Sequence, residues 1–558
     1  MEERRLLLAV ALSLLVLTAY QLLFPQAPAP PRAAAPPTLV AGPGEPSRAG
    51  PEPARAEPTP AAETPAETAA LADAEERRVE VETDDLSVAF TNRGARLLSW
   101  RLRHYPDSRG RPEDMVQTVP EQVRPLDIET GDPGLDARLR EALFVPSATR
   151  LEVEPGSEAT LEFVFAGAGV EARKVLRFQR TGYLVSVSVS VRRGGATAPA
   201  RILWGPGLGN ASAEERDVRG YQAPHAVALA AGRVTRLPVD KLDRPIPLEG
   251  ARWLGVEGRY FAALFVPPNP ARAEARVAEV PSAEGGEPHR EAVLAVELPE
   301  SDVPCLLYVG PKDHHVLAPL GRELARVVPV GDWIGPLVVP LMGMLRWMNG
   351  YVGSYGWSIV LLTVVINLAL GPLRHYSIAN GIKMAKLAPE MRVIQERYRK
   401  VPALDPRRQE MQKEISELYA RHGMSMGTQM AVGCLPMLLT MPFLFAIYRV
   451  LDVSIDLRGA AYLWIPDLSQ KDPLFLTPIL MGVSMFVMQK LTPSGMDPAQ
   501  QRIMMLMPLM LAGMFFWAPA GLNLYWLVSN LCAILQQGLT LHLLKDPART
   551  PAKEKRRR

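Results

Sequence analysis

The sequence predicts a membrane α-helical bundle of six spans, five of them in one core, joined to a large antiparallel β-sandwich outside the bilayer. Three observations carry that expectation. Apolar residues make up 48% of the 558-residue chain but are concentrated at its N-terminus and after about position 330. The stretch between alternates apolar and polar residues with a period of two, the mark of half-buried strands. Lysine and arginine crowd into some loops and avoid others, which is how orientation is written into a membrane protein. A chain of this length is also too long for one compact domain.

Residues 1–24 read as an N-terminal membrane anchor. Arg4 and Arg5 precede an apolar run over 6–24, close to the ~20 residues that cross a hydrocarbon core. A cleaved signal peptide is the alternative, but the run is long for one and Ala27-Pro28-Ala29 is a poor small-residue site. Residues 25–77 form a Pro/Ala-rich tether. With thirteen prolines between positions 25 and 65, it cannot bury a core. A spacer of this kind implies loose coupling of the domain that follows.

That domain is the sandwich, 78–327. In Val185-Ser186-Val187-Ser188-Val189-Ser190-Val191 the valines face one way and the serines the other. Leu98, Trp100 and Leu102 alternate with Ser99, Arg101 and Arg103, and Leu161, Phe163 and Phe165 repeat the pattern. Clusters such as Trp204-Gly205-Pro206-Gly207 punctuate the runs, so an antiparallel sandwich follows.

Residues 328–352 mix aromatic and apolar side chains, with Trp333 and Trp347 near the ends of the apolar stretch. An amphipathic helix lying in the membrane interface is expected. The core, 353–545, holds five apolar segments at about 355–373, 428–451, 474–491, 503–518 and 522–544. A helical hairpin, 374–427, separates the first two, and a basic tail, 546–558, ends the chain. Between Arg374 and Arg421 there are eleven Lys/Arg against six Asp/Glu, and from Lys545 onward seven against two. The loop 452–473 has two against four. The positive-inside rule then puts both termini, the hairpin and the 492–502 loop in the cytoplasm, and the sandwich in the periplasm of a bacterial inner membrane.

The five core segments contain no carboxylate, whereas ion-coupled transporters usually need an intramembrane acid. No nucleotide loop, zinc signature or nucleophile elbow occurs, and Cys305, Cys434 and Cys532 form no CxxC pair. No enzyme chemistry, metal or cofactor is expected. The spans instead hold sparse neutral polar residues. Thr363, Asn367 and Arg374, at i, i+4 and i+11, share one face of a continuous helix. Thr440, Gln489, Ser529 and Asn530 lie in later spans. Such residues either join helices to one another or hydrate a groove open to the cytoplasm. In the hairpin, Met384, Leu387, Met391, Ile394 and Tyr398 recur at helical spacing, as do Met411, Ile415 and Leu418, with Asp405-Pro406 starting the second helix.

Several motifs resemble the YidC/Oxa/Alb family of membrane protein insertases. They are Tyr355-Gly356-Trp357-Ser358-Ile359, Gly433-Cys434-Leu435-Pro436, Met441-Pro442-Phe443, Pro466-Asp467-Leu468-Ser469, Pro478-Ile479-Leu480-Met481-Gly482 and Val528-Ser529-Asn530-Leu531. In the sandwich, Val81-Glu82-Thr83-Asp84, Gly258-Arg259-Tyr260-Phe261 and Tyr308-Val309-Gly310-Pro311-Lys312 resemble the periplasmic domain of Gram-negative members. The resemblance implies a five-helix insertase core around a hydrophilic groove, open to cytoplasm and lipid, through which nascent membrane proteins pass alone or beside the Sec translocon. It makes Thr363, Asn367, Arg374, Thr440, Gln489, Tyr525, Trp526 and Ser529 the candidate substrate groove. The ribosome and the signal recognition particle receptor become candidate partners of the hairpin and tail.

The chain departs from the family at one point. The family's groove arginine sits five residues before a proline; here Pro372 fits that proline, and the position five before it is Asn367. An amide replaces a cation there, and Arg374 is the residue placed to supply the charge.

Overall fold

A computed structural model describes residues 71–545 except 108, 118, 120–121, 155, 210–222, 282–287, 299–303, 399–400, 403–404, 423–440 and 493–497, and without the side chains of 408, 498–503 and 543–545. The anchor 1–24, the tether up to residue 70, Cys434, Thr440 and the tail 546–558 lie outside the described residues. All described residues belong to one compact unit, Pro65–Arg558.

Two sheets face each other in the N-terminal domain. The smaller has five strands, Arg78–Glu82, Leu86–Thr91, Arg96–Pro106, Pro112–Asp114 and Arg150–Glu152, antiparallel except for one parallel pair. The larger has fourteen, with Ile246–Glu257, Phe261–Val266, Cys305–Pro311, Leu184–Arg193, Val170–Gln179 and Glu158–Gly167 side by side. Aromatic rings from opposite sheets meet in the core: Phe90 lies 5.7 Å from Phe163, and Trp100 lies 6.1 Å from Phe178 and 6.5 Å from Trp204. Val185, Val187 and Val191 point inward, as their alternation predicts.

The alternation fails at Leu98. Leu97 is buried and Leu98 only half-buried, because the register between Leu86–Thr91 and Arg96–Pro106 slips by one residue: Phe90 opposes Leu97, but Ala89 opposes Ser99. This bulge turns over every side chain beyond it, so Leu97 joins Trp100 and Leu102 in the core.

Lys174 breaks the apolar face of Val170–Gln179. It is fully buried, and its Nζ donates to the carbonyls of Ala95 (2.6 Å) and Leu126 (2.7 Å). Burial pushes its ammonium down to about 8 despite the nearby Asp127. The unfolded chain then holds more protons than the folded one between about pH 8 and 10.5, so stability rises with pH across that window. Fluorescence-monitored denaturation of a 78–327 fragment, reported by buried Trp100, Trp204 and Trp253, should show that rise. Lys174→Met should lose its share, about 1.4 kcal/mol per pH unit; an identical slope in both proteins would contradict the assignment.

The helices follow. A nine-residue helix, α1 (Pro133–Glu141), and a short turn, α2 (His314–Leu317), belong to the sandwich. Then come α3 (Gly335–Val352), α4 (Tyr355–Ala369), α5 (Gly371–Arg397), α6 (Arg407–Arg421), α7 (441–453), α8 (Leu476–Leu491), α9 (Pro498–Phe515) and α10 (Ala520–Lys545). In α3, Val338, Leu341, Met342, Leu345 and Met348 are buried while Trp347 and Tyr351 are exposed, a two-faced helix of the kind an interface holds.

Among the described residues no single helix is both long and apolar enough to cross a bilayer; α4 and α5 pass that test only together, bent by 59°. Helix α10 has the length, but Asn523, Asn530, Gln536 and Gln537 dilute its apolar character. The outward faces are nonetheless apolar: Trp357, Leu361, Val365 and Leu368 on α4, Leu509, Met510 and Met514 on α9, and Leu531, Leu535 and Leu539 on α10 are exposed. A band this large does not suit contact with water.

Candidate functional site

The site forms where α4 ends. Pro372 lacks the N–H that would continue the α4 ladder, and its ring excludes the carbonyl four residues back. The chain therefore breaks at Leu370 and restarts as α5. The straight stripe of Thr363, Asn367 and Arg374 expected from helical spacing does not exist, because the bend separates Arg374 from the axis of α4. Arg374 reaches the stripe by folding its side chain back, and its Nη1 donates to Asn367 Oδ1 at 2.7 Å.

Around that bond the polar groups are nearly all used. Thr363 is fully buried and its Oγ1 donates to the Ile359 carbonyl at 2.6 Å. Asn367 is 6% exposed; its Nδ2 donates to the Thr363 carbonyl at 2.8 Å, and Ser529 Oγ on α10 lies 3.4 Å from both of its amide atoms. The Arg374 charge lies within electrostatic reach of Tyr525 and Cys532. Among the described residues no carboxylate pairs with Arg374, so a cation is held at the C-terminal end of α4 by an amide rather than neutralised.

Four of the eight candidate groove residues, Thr363, Asn367, Arg374 and Ser529, are thus brought into one cluster, with Tyr525 one turn from Ser529 on α10. Trp526 is turned elsewhere: it meets Phe515 of α9 edge-on at 4.9 Å. Gln489 is half-buried near the end of α8, and among the described residues no hydrogen bond joins it to the cluster.

Sequence reasoning missed how α10 is used. Ser529, Gln536 and Thr540, at i, i+7 and i+11, face the α4–α5 break. Gln536 donates to the Gly371 carbonyl at 2.7 Å, and Thr540 Oγ1 lies 3.0 Å from His375 Nδ1. One residue round the helix, Asn530 donates to Ser484 of α8 at 3.0 Å and Gln537 contacts Thr492 at 3.4 Å. Two polar stripes on one helix therefore tie it to two neighbours. The seven-residue spacing of Ser529/Gln536 and Asn530/Gln537 was the available signal.

In the hairpin, Leu387, Met411, Ile415 and Tyr419 form a small core with Met384, Met391, Ile394 and Tyr398 packed against it. Asp405 accepts from the Arg407 amide at 2.9 Å, and Tyr398 donates to Glu414 at 2.8 Å. An open groove lies along another face of α5, beside Ala388, Pro389 and Val393.

The chain matches two family descriptions. Residues 78–344 match the YidC periplasmic domain, and residues 347–546 match the 60Kd inner membrane protein family. Two relatives, each a "Membrane protein insertase YidC", come from Geobacter metallireducens and Citrifermentans bemidjiense. The first is 33% identical over 551 residues, covering 96% of this chain and 97% of its own; the second is 33% identical over 553 residues, covering 96% and 98%. A solved active YidC insertase with its first transmembrane domain resolved is 15% identical, with coverage of 84% of this chain and 94% of its own and a TM-score of 0.34.

Proposed function

The chain belongs to the YidC family of membrane protein insertases, and from that premise we propose how it passes a substrate: along a polar groove whose cation is Arg374, presented through Asn367. It is a membrane protein with a periplasmic domain. The observation that carries the proposal is the 2.7 Å bond from Arg374 to Asn367. A guanidinium at the cytoplasmic end of the groove attracts an acidic substrate flank, while Thr363, Asn367 and Ser529 offer donors and acceptors to a polar segment deeper in. The substrate's apolar segment leaves sideways into lipid, over the apolar outer faces of α4 and α10. No bond is made or broken, so the chemistry reduces to lowering the cost of moving polar groups across a shortened barrier.

The arrangement of parts is proposed with it. Anchor 1–24, tether 25–77, sandwich 78–327, interfacial helix 328–352, five-span core 353–545 with hairpin 374–427, and tail 546–558 give six spans with both termini in the cytoplasm. The loop charges support this order. Cysteines placed at Arg408 and Arg549 should react only with membrane-permeant reagents, and cysteines within 78–327 with impermeant ones; labelling of position 408 from the periplasm would overturn the topology. The Sec translocon beside the core, and the ribosome and signal recognition particle receptor at the hairpin and tail, complete the proposed partners.

Depletion of the protein followed by a proteomic count of inner-membrane proteins tests the function. Loss across many unrelated membrane proteins is expected. A cell whose membrane proteome stays intact while one solute accumulates would instead fit a transporter.

A further inference from the structure

The sandwich is not loosely coupled, as its tether alone would suggest: it is fastened to the helical half by charges. Arg346 of the interfacial helix α3 places Nη2 2.7 Å from Asp313 Oδ2 and 2.6 Å from Asp456 Oδ2, with Nε 3.2 Å from the same Asp456 oxygen. Asp313 sits where the last sandwich strand ends, is 4% exposed, and caps α2 through the His315 amide at 2.9 Å. Asp456 belongs to the loop 452–473, which also seats Tyr462 against Gly356 and, edge-on at 5.5 Å, against Trp357 in the first turn of α4. One guanidinium therefore ties together the sandwich exit, the interfacial helix and the 452–473 loop, and that loop packs on the head of the groove helix. A second tie lies beside it: Arg458 of the same loop pairs with Glu113 of the small sheet at 2.5 Å and lies 5.1 Å over the Phe261 ring.

The sandwich side of this junction is stiff. Lys312, next to Asp313, donates to Glu257 at 3.0 Å and to the Gly258 carbonyl at 2.7 Å. Glu257 is fully buried and also takes Arg236 at 2.6 Å and His225 at 3.2 Å. Burial pushes its carboxyl up, but these three partners bring it down to about 2. With both oxygens engaged inside the protein, Glu257 anchors the junction.

We propose that Arg346 is a positioning residue, which by bridging Asp313 and Asp456 holds the sandwich as a fixed strut on the 452–473 loop and so sets the head of the groove helix α4. The inference rests on the insertase reading above. Its energetic logic is that Arg346 separates two carboxylates from different elements, and removing it leaves them facing each other in a partly dry site.

The test uses the full-length protein reconstituted in vesicles with a single-span substrate. Arg346→Met should lower insertion about fivefold or more at unchanged protein level and Asp456→Asn should lower it less. Arg346→Met with Asp456→Asn should be no worse than Arg346→Met alone, because both act through one bridge, and Arg346→Lys, which keeps a cation between the carboxylates, should recover to within about twofold of wild type. A local role for Arg346 in α3 predicts independent losses that multiply, so a multiplicative double variant would overturn the proposal, as would a fully active Arg346→Met. Docking is read separately and without substrate. Glu113→Cys with Arg458→Cys should be joined in the resting protein by a flexible bis-maleimide that replaces the reach of the two long side chains, and the locked protein should still insert; failure to cross-link, or a lock that abolishes insertion, contradicts a fixed strut. If wild type itself inserts nothing, the insertase reading has failed instead, whatever the cross-link reports.

Discussion

Arg374→Ala is expected to cut insertion of substrates with acidic flanks by roughly ten- to thirtyfold, and of neutral-flanked substrates much less. A unit charge pair 8 Å apart at an effective dielectric of about 20 is worth ~2 kcal/mol, and each ~1.4 kcal/mol is a factor of ten. Asn367→Ala should be milder, since it removes the bond that aims the guanidinium but leaves the charge. Combining Asn367→Arg with Arg374→Ala should restore part of the loss, because the cation moves by one side chain within the same cluster. Pulse-labelled insertion of paired substrates differing only in flank charge makes the measurement. A severe Asn367→Ala defect beside a neutral Arg374→Ala would show that the amide itself, not the charge, acts on the substrate.

Gly356→Val should be nearly as damaging, at the opposite end of the same helix. A Cβ at Gly356 would lie 2.1 Å from Cδ2 and 2.2 Å from Cγ of Tyr462. That ring cannot retreat, since Tyr462 is held by mutual backbone bonds with Ile465 (2.8 and 2.9 Å) and stands edge-on to Trp357 at 5.5 Å. Overpacking of this kind costs ~1–3 kcal/mol or more, and here it pushes the 452–473 loop off the head of α4. We expect at least a tenfold drop in insertion and a lower unfolding temperature in detergent. Gly356→Ala should show a smaller drop that Tyr462→Ala relieves. A Gly356→Val protein with wild-type stability and activity would show that the loop is not seated there.

The division of the molecule was legible because its two solvents leave different patterns. Alternation at Val185–Val191 needs water on one side only, and sustained apolar runs need lipid. What was not legible came from single-residue events. The slip opposite Leu98 has no signature in an alternation that looks intact, and only pairing reveals that Leu97 takes the inward place. The bend at Leu370 follows from Pro372, yet a proline near a helix end reads as a boundary rather than as a 59° turn. Extending the helical stripe through it put Arg374 beside Asn367, where the structure also has it, but for the wrong reason: the side chain closes a gap that the backbone opens. The ionic ties of Arg346 and Arg458 join residues 33 to 345 positions apart, a separation at which no periodicity speaks. The tether pointed the other way, because it describes only how the sandwich leaves the anchor and says nothing of its second attachment.

The central claim is that substrates travel along the Asn367 side of α4. Asn367 is buried in the polar cluster, whereas Val365, two residues earlier, is 39% exposed on the outer face. A photo-crosslinker placed in turn at each position, in membranes engaged with a stalled nascent membrane protein, measures the claim directly. The account predicts strong capture of the nascent chain from position 367 and little from 365, where lipid should be the main product. Equal capture from both, or capture from 365 alone, would contradict it.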